Sequence, residues 1–244
     1  MIAKHHSLSP RFWAVIPAAG TGKRMDSVIP KQYLPLHGKT VLEHTLRHII
    51  GHPSIAAVVV VIAQDDQYWP GLASVFVEQS LIVVHGGAER CNSVMNGLRA
   101  LSGHAAPQDW VLVHDAARPC IRHDDIDKLI SAVIVHPVGG ILGVTAADTM
   151  KRVDEHRQII ATVDRSGLWH AQTPQMFRLQ QLIMAIRHAI AINAPITDEA
   201  SAMELSGLSP LIVEGHRDNI KITEPDDLIH VEMFLENQTD QVTS

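Results

Sequence analysis

The chain has 244 residues and a formal net charge of −6 at pH 7, with a sequence pI near 6.2. Hydrophobic residues make up 46% and charged residues 19% of the sequence, which are ordinary fractions for a globular protein and argue against extensive disorder. The acidic balance excludes a protein that works by broadly neutralising nucleic-acid phosphates or an anionic membrane surface. Any phosphate that the chain binds must therefore be held by a local group of positive side chains.

The cysteines and the start of the chain indicate a cytoplasmic protein. Cys91 and Cys120 lie far apart and show no CxxC or Cys/His ligand spacing, so neither a disulfide framework nor a structural zinc site is indicated. The basic start followed by FWAVIPAAG loosely resembles a secretory signal, but Pro17 interrupts the apolar run, which fits a first β-strand better. No apolar stretch approaches the roughly 20 residues that cross a bilayer. We expect a reducing compartment and neither a membrane nor a nucleic-acid partner.

Apolar runs alternate with amphipathic segments from the first strand onward. This alternation predicts an α/β fold, with a Rossmann-like, mainly parallel sheet flanked by helices on both faces. The runs predicted as buried strands are FWAVIPAA, IAAVVVVIA, LIVVHG, WVLVHDAA and GGILGVTAA. The segment TVLEHTLRHII is predicted as a helix, because Thr40 followed three residues later by Glu43 has the spacing of an N-terminal capping box.

The pattern changes between residues 148 and 173, where polar and β-branched residues alternate around a polar turn at 154–157. It predicts a projecting β-hairpin arm, inserted into a single domain that spans residues 1–244. After the arm we predict helices near residues 179–192 and 197–205, a strand at PLIVEG and a final helix from about Pro225. A short polar tail, NQTDQVTS, follows that helix, so we expect a single activity.

The loop after the first strand combines glycine with positive charge. Gly20, Gly22, Arg24 and Lys31 follow the carboxyl end of a buried strand, which is where open α/β sheets bind ligands. Glycine lets backbone N–H groups approach a polyphosphate and the cations offset its charge, so the loop is predicted to bind a triphosphate. The GxGxxG motif needs a third glycine where this chain has Met25, and the P-loop motif lacks its opening glycine. A purely structural turn is the alternative.

Two later strands end in polar motifs. Gly86 and Gly87 lead from one strand into a helix that carries Ser93 in its first turns, and the N–H groups of such a turn can bind the polar edge of a ligand. Asp115 ends a strongly apolar strand, and Arg118 follows it. A buried carboxylate there must be paired or hold a cation, so Asp115 is a candidate metal ligand. Capping of the next helix is the alternative role for Asp115.

These motifs resemble those of the 2-C-methyl-D-erythritol 4-phosphate cytidylyltransferase family in order and spacing. The matching strings are PAAGTGKRM with PKQY, GGAERCNSVMNGL, HDAARP, DTMKR, RSGLWHAQTPQ, TDEAS and NIKIT, and the resemblance runs from about Val15 to Glu236. It implies transfer of CMP from CTP to that polyol phosphate, with release of pyrophosphate, in the non-mevalonate route to isoprenoid precursors. The alternatives are a cytidylyltransferase for another polyol phosphate, such as ribitol 5-phosphate, and a non-catalytic nucleotide-binding module.

The resemblance also implies the roles of individual residues. Arg24 and Lys31 would be the catalytic cations. CTP would be bound by Pro17, Ala18, Ala19, Gly20, Gly22, Gly86, Gly87, Ser93, Asp115 and Ala116, with Mg²⁺ or another divalent cation at Asp115. The polyol phosphate would be bound by Arg118, Thr149, Arg165, Thr173, Thr197 and Lys221. In the family the arm exchanges between subunits, so the resemblance implies a homodimer in which Arg165 acts in its neighbour's site. Arg90 is equally compatible with a structural ion pair and receives no role.

Overall fold

The structure, a computed structural model, describes residues 10–20, 25 and 27–242. The strands in this part of the chain are β1 (Phe12–Pro17), β2 (Pro35–Leu36), β3 (Lys39–Thr40), β4 (Ile55–Ile62), β5 (Leu81–His85), β6 (Trp110–Val113), β7 (Gly139–Thr145), β8 (Met150–Val153), β9 (Ile159–Val163), β10 (Trp169–Arg178) and β11 (Leu211–Glu214). The helices are α1 (Val41–Ile50), α2 (Trp69–Ala73), α3 (Arg90–Leu101), α4 (His123–Val133), α5 (Leu179–Ala191), α6 (Glu199–Leu205) and α7 (Asp226–Val242). Short 3-10 turns occupy Lys31–Tyr33 and Ser74–Phe76.

Seven strands form one central sheet in the order β11-β7-β10-β6-β1-β4-β5. β1 is parallel to its neighbours β4 and β6, whereas β10 runs antiparallel to β6 and β7. Because β5 is parallel to β4 and β11 is parallel to β7, the sheet is mainly parallel, which confirms the prediction. The chain leaves β1 toward β4 and β5 and returns on the other side of β1 at β6. The strand order therefore reverses beside β1, where α/β sheets open a ligand crevice.

Helices cover both faces of the sheet because the central strands are apolar on both sides. Along β1, Ala14 and Ile16 pack into the core on one face, and Trp13 and Val15 pack into the core on the other face. Successive side chains of a strand point to opposite faces, so a continuous apolar run is fully buried only between two helical layers. The first core includes residues of α1 and α4, and the second includes residues of α3 and α5.

Two helices show how capping fixes where a helix begins. Thr40 Oγ1 accepts a hydrogen bond from the Glu43 N–H at 3.1 Å, as the capping-box spacing predicts, and α1 begins at the next residue. Asp198 Oδ1 accepts from the Ser201 N–H at 2.9 Å. The cap at Asp198 makes α6 begin at Glu199, slightly later than the predicted start at Thr197.

The predicted hairpin is present as a separate two-stranded sheet, β8–β9. Its turn is held by Asp154, whose Oδ1 accepts from the N–H groups of His156 and Gln158 at 2.9 Å each. All side chains of β8 and nearly all of β9 are exposed, so the hairpin projects from the domain. The last residues of the predicted arm, 169–173, belong instead to β10 and therefore to the central sheet.

Within residues 10–20, 25 and 27–242, no helix combines the length and the apolar character that a membrane crossing requires. Cys91 and Cys120 are both free thiols, and Cys120 is buried.

Candidate active site

A cleft opens at the carboxyl ends of β1 and β6, beside the reversal of strand order. The residues that line it are Pro17, Ala18, Ala19, Gly20, Lys31, Gln32, Gly87, Ala88, Glu89, Arg90, Ser93, Asp115, Ala116, Ala117 and Lys221. They come from four separate stretches of the chain: the loop after β1 with the turn that follows it, the start of α3, the segment after β6, and the segment between β11 and α7. Each of the four stretches contains a motif that was singled out from the sequence.

The loop after β1 presents backbone groups to the cleft. The Ala18 N–H donates to the Val61 carbonyl of β4 at 2.7 Å, which continues the sheet one residue beyond β1. The N–H groups of Ala19 and Gly20 donate to none of the described residues, and both residues line the cleft. Two amide donors at the end of a buried strand suit a phosphate group. Gly22 and Arg24, which were predicted to contribute to the same loop, lie outside the described residues.

Lys31 reaches the cleft from the 3-10 turn Lys31–Tyr33. Its Nζ donates to the Ile222 carbonyl at 2.6 Å, which attaches the amine to the segment that also carries Lys221. The next residue, Gln32, is buried and donates from Nε2 to the carbonyls of Ala18 at 2.6 Å and Gly20 at 3.0 Å. Gln32 was not singled out from the sequence. The string PKQY contains it, but an amide side chain carries no charge pattern that would have marked it.

The glycines before α3 are required by close packing. A Cβ atom on Gly86 would lie 2.5 Å from the Ala19 Cβ and 2.7 Å from Ser93 Oγ, so any side chain there would push the two loops apart. Ser93 Oγ accepts from the Gly87 N–H at 3.2 Å and donates to the Glu89 carbonyl at 3.2 Å. The buried Ser93 hydroxyl therefore fixes the turn that faces the loop after β1. Gly87 and Ser93 line the cleft, and Gly86 lies directly behind it.

Asp115 is surrounded by three cations. Its Oδ2 lies 2.8 Å from Lys221 Nζ and 3.6 Å from Arg118 Nε, and its Oδ1 accepts from Arg90 Nη2 at 3.1 Å. Burial alone would raise the pKa of Asp115, but the positive charges of Arg90, Lys221 and Arg118 hold that pKa well below its ordinary value. Asp115 is therefore ionised at any physiological pH. Arg90 also donates to Glu199 Oε1 at 2.7 Å, so it forms the structural ion pair that the sequence left open, and it lines the cleft as well.

A buried histidine and threonine position Asp115. His114 Nε2 contacts the Arg118 carbonyl at 3.0 Å, so Nε2 carries the proton and Nδ1 is an acceptor. Nδ1 lies 3.0 Å from Thr173 Oγ1, which donates to it, and the same Oγ1 accepts from the Asp115 N–H at 3.0 Å. Complete burial lowers the pKa of His114 to about 4, so its ring is neutral at pH 7. The hydroxyl of Thr173, a predicted substrate ligand, is thus engaged within the protein.

The remaining predicted ligands lie in two different settings. Arg118 is buried, and its Nη1 donates to the Asn219 carbonyl at 2.6 Å. Thr149, Arg165 and Thr197 are exposed and are not among the residues that line the cleft. Thr149 precedes β8, and Arg165 lies between β9 and β10, so both belong to the base of the hairpin. Pro17, Ala18, Ala19, Gly20, Lys31, Gly87, Ser93, Asp115, Ala116 and Lys221 are brought together in the cleft.

Two places in the described residues present carboxylate oxygens to a possible cation: Asp115 in the cleft, and the pair Asp124 and Asp125 beside His216. Asp115 lines the cleft and is ionised, and its Oδ2 is paired with Lys221 Nζ at 2.8 Å and lies 3.6 Å from Arg118 Nε, so a metal ion would share this carboxylate with both cations. Asp124, Asp125 and His216 bring three ligand atoms within 4.8 Å of one another. Lys128 Nζ already lies 3.4 Å from Asp125 and supplies the positive charge at that second place.

Known proteins share both the sequence and the fold. A family model described as 2-C-methyl-D-erythritol 4-phosphate cytidylyltransferase matches residues 12–237. A protein of that name from Pseudomonas fluorescens is 53% identical over 220 residues, covering 90% of this chain and 93% of the relative. Another, from Vibrio vulnificus, is 49% identical over 228 residues, covering 93% and 96%. The crystal structure of the Francisella tularensis 2-C-methyl-D-erythritol 4-phosphate cytidylyltransferase superposes with a TM-score of 0.78 at 39% identity, covering 92% of this chain and 99% of that one. This chain belongs to the 2-C-methyl-D-erythritol 4-phosphate cytidylyltransferase family.

Proposed function

We propose that this chain transfers CMP from CTP to 2-C-methyl-D-erythritol 4-phosphate and releases pyrophosphate. The family match over residues 12–237 supplies the reaction and the substrates. The observation that carries the assignment to this chain is the cleft, where Lys31, Arg90 and Lys221 line the same space as the Ala18–Gly20 backbone. The cytoplasmic location expected from the sequence is part of the proposal.

The chemistry needs positive charge more than it needs a base. The acceptor phosphate already carries an anionic oxygen at neutral pH, so no side chain has to remove a proton from it. That oxygen attacks the α-phosphorus of CTP in line, a new P–O bond forms, and the bond to the oxygen that bridges the α and β phosphorus atoms breaks. Pyrophosphate leaves with the electron pair of the broken bond. The barrier is the approach of one anion to another, and preorganised donors lower it.

We assign these donors to the loop after β1 and to Lys31. The Ala19 and Gly20 N–H groups would bind phosphate oxygens, and the Lys31 amine would stabilise the charge that develops on the reacting phosphate and the leaving oxygen. Arg24 is proposed for the same role from its place in the motif. On the nucleoside side, the turn of Gly86 and Gly87, together with Ser93 and Ala116, would hold the base and ribose. Pro17 ends β1 at the base of this site.

A divalent cation, Mg²⁺ in the first instance, is proposed at Asp115. The donor set fits, because Asp115 is an ionised carboxylate inside the cleft, and Mg²⁺ is commonly bound by one or two carboxylates together with substrate phosphates and water. Bound there, the ion would neutralise part of the triphosphate charge. Lys221 and Arg90 hold the carboxylate in place, so the protein's own contribution is to keep Asp115 charged and oriented.

The acceptor side of the site is proposed to be completed by a second subunit. A two-stranded hairpin is marginally stable alone, yet β8–β9 exposes apolar side chains, with Ile159 64% and Ile160 60% exposed. We propose that the chain is one domain whose arm packs on a second copy in a homodimer. Arg165 would then enter the neighbour's site and contact the polyol phosphate bound there. Thr149, Thr197 and Lys221 are also proposed to contact the polyol phosphate. Arg118 and Thr173 would support that side by holding Asp115.

The direct test is pyrophosphate release from CTP, measured with a panel of polyol phosphates, with and without Mg²⁺. We expect release with 2-C-methyl-D-erythritol 4-phosphate, little with ribitol 5-phosphate, and a loss of activity when EDTA removes the metal. Faster release with ribitol 5-phosphate would assign the chain to another acceptor. CTP binding without release with any acceptor would make the chain a nucleotide-binding module and overturn the proposal.

A further inference from the structure

Gln32 is a buried polar side chain that the reaction scheme leaves without a role. It is 5% exposed, and its Nε2 donates to two carbonyls of the loop after β1, Ala18 at 2.6 Å and Gly20 at 3.0 Å. Both N–H hydrogens of the Gln32 side-chain amide are therefore bound to the loop that lines the cleft. A side chain needed only to fill space would not require a donor with two hydrogens at this position.

Holding the Ala18 carbonyl also orients the amide of the same peptide unit. In a trans peptide the C=O and the following N–H point in opposite directions, so fixing the Ala18 carbonyl toward Gln32 fixes the Ala19 N–H away from Gln32. The Ala19 and Gly20 N–H groups have no partner among the described residues, and both residues line the cleft. The contact therefore favours one orientation of a loop whose glycine would otherwise allow several.

The same turn positions Lys31. Two residues of the turn contact the site: Lys31 Nζ donates to the Ile222 carbonyl at 2.6 Å, and Gln32 Nε2 donates to the loop after β1. The Tyr33 hydroxyl donates instead to Asp66 Oδ2 at 2.8 Å, and neither Tyr33 nor Asp66 lines the cleft. Because Gln32 lies next to Lys31, the hydrogen bonds of Gln32 join the backbone of this turn to the loop, while the contact with the Ile222 carbonyl holds the Lys31 amine.

We propose that Gln32 is a positioning residue for the nucleotidyl transfer: it orients the Ala19 amide of the phosphate-binding loop after β1, holds the peptides on both sides of the Gly20 N–H, and ties the loop to the turn that carries Lys31. This inference rests on the proposed function, since it assigns the loop to the phosphates of CTP. Misplacement of reacting groups by about 1 Å can lower a rate by roughly 10²-fold. We expect a loss of that size in kcat when the two hydrogen bonds are removed.

The test compares three variants of the full chain with the parent. Gln32→Met keeps the length of the side chain and removes both donors. Gln32→Glu keeps the shape, but the ionised carboxylate would face two carbonyl oxygens, and only its protonated form can donate. Tyr33→Phe is the matched control, because it removes a hydrogen bond from the same turn on the side away from the loop. Steady-state pyrophosphate release and calorimetric binding of CTP are measured between pH 6 and 8.5, with thermal melting of each variant.

We expect Gln32→Met to lower kcat about 10²-fold at every pH, and Tyr33→Phe to stay within about threefold of the parent. Burial raises the pKa of a carboxyl, so the kcat of Gln32→Glu relative to the parent should rise at least about tenfold as the pH falls from 8.5 to 6. A general loss of stability would not produce that rescue. A flat ratio for Gln32→Glu, or a Gln32→Met variant with parental kcat, would overturn the inference.

CTP binding separates this inference from the proposed function. Gln32→Met should bind CTP about tenfold more weakly than the parent, whether or not the parent turns over. If the parent binds CTP but releases no pyrophosphate, the proposed function fails, while weaker CTP binding by Gln32→Met still supports the role of Gln32. Parental CTP affinity in a folded Gln32→Met variant would overturn that role.

Discussion

Replacing Asp115 by asparagine should destabilise the protein as well as inactivate it. The substitution keeps the size of the side chain and removes the charge that three cations share. Arg90 retains Glu199 at 2.7 Å, but Arg118 and Lys221 lose the carboxylate to which they are paired. Asp115 and Arg118 expose only 10% and 11% of their side chains, so solvent cannot replace the lost counterion for Arg118.

The expected size of the effect follows from this burial. Removing one partner of a buried ion pair costs roughly 3–5 kcal/mol. Lys221 is 34% exposed, so water screens part of its charge, and we expect the lower end, about 3 kcal/mol. For a chain of this length that loss corresponds to a fall in Tm of roughly 6–12 °C.

Urea and thermal unfolding of Asp115→Asn, with EDTA present to remove metal ions, give the measurement. Asp124→Asn is the control, because its partner Lys128 lies 3.6 Å away in an exposed i,i+4 pair that should contribute less than about 1 kcal/mol. Lys221→Met should cost about 1 kcal/mol less in the Asp115→Asn background than in the parent. If Asp115→Asn costs no more than Asp124→Asn, or if the two cleft substitutions are additive, the carboxylate does not hold this cluster together.

Three further predictions concern the reaction, the arm and pH. Lys31→Met should lower kcat roughly 10²- to 10³-fold in steady-state pyrophosphate release, and a parental rate would reject its catalytic role. Arg165→Ala should be inactive alone. When its subunits are mixed with those of Lys31→Met, half of the dimers should be hybrids, and each hybrid has one intact site of two, so about a quarter of parental activity should return. No recovery would reject arm exchange. Burial lowers the pKa of His114 from 6.5 to about 4 in the folded chain. As the pH falls, the unfolded chain therefore takes up this proton before the folded chain does. The free energy of unfolding, which is constant in this respect above pH 6.5, should fall by about 3 kcal/mol as the pH drops to 4. His114→Leu should show a flatter profile in urea unfolding.

The sequence predicted the sheet well where strands are continuous and apolar. The run IAAVVVVI forms β4 because its β-branched residues are buried on both faces of a parallel sheet. The sequence pattern did not predict that β10 lies between β6 and β7 in the central sheet. Pro174 interrupts the pattern there, and the pairing of β10 with β7 shifts register between Ala171 and Gln175. Residues 169–173 were interpreted as part of the arm because they continue its alternation of polar and apolar residues, which does not distinguish an arm from a central strand.

The candidate site could be predicted only in part for a related reason. Asp115 and Lys31 were found because charged residues at the carboxyl ends of buried strands are unusual and need a partner. The partners themselves could not be found this way. Arg90 and Lys221 meet Asp115 from distant parts of the chain, and which cation reaches a given carboxylate depends on the packing of α3 and of the segment before α7. Gln32 was missed because a neutral amide gives no such signal.

The charge of the site explains how an acidic protein can bind two anionic substrates. Among residues 10–20, 25 and 27–242, the charged groups in and directly behind the cleft are the cations Lys31, Arg90, Arg118 and Lys221 and the carboxylates Glu89, Asp115 and Glu199. Four positive and three negative charges leave an excess of one positive charge, in a chain whose formal charge is −6. Exposed charges separated by more than about 10 Å are largely screened at 0.1 M salt, so the distant negative charges act weakly on a bound phosphate. The local cations and loop amides act at contact distance inside the cleft, and substrate binding therefore depends on their arrangement rather than on the net charge of the protein.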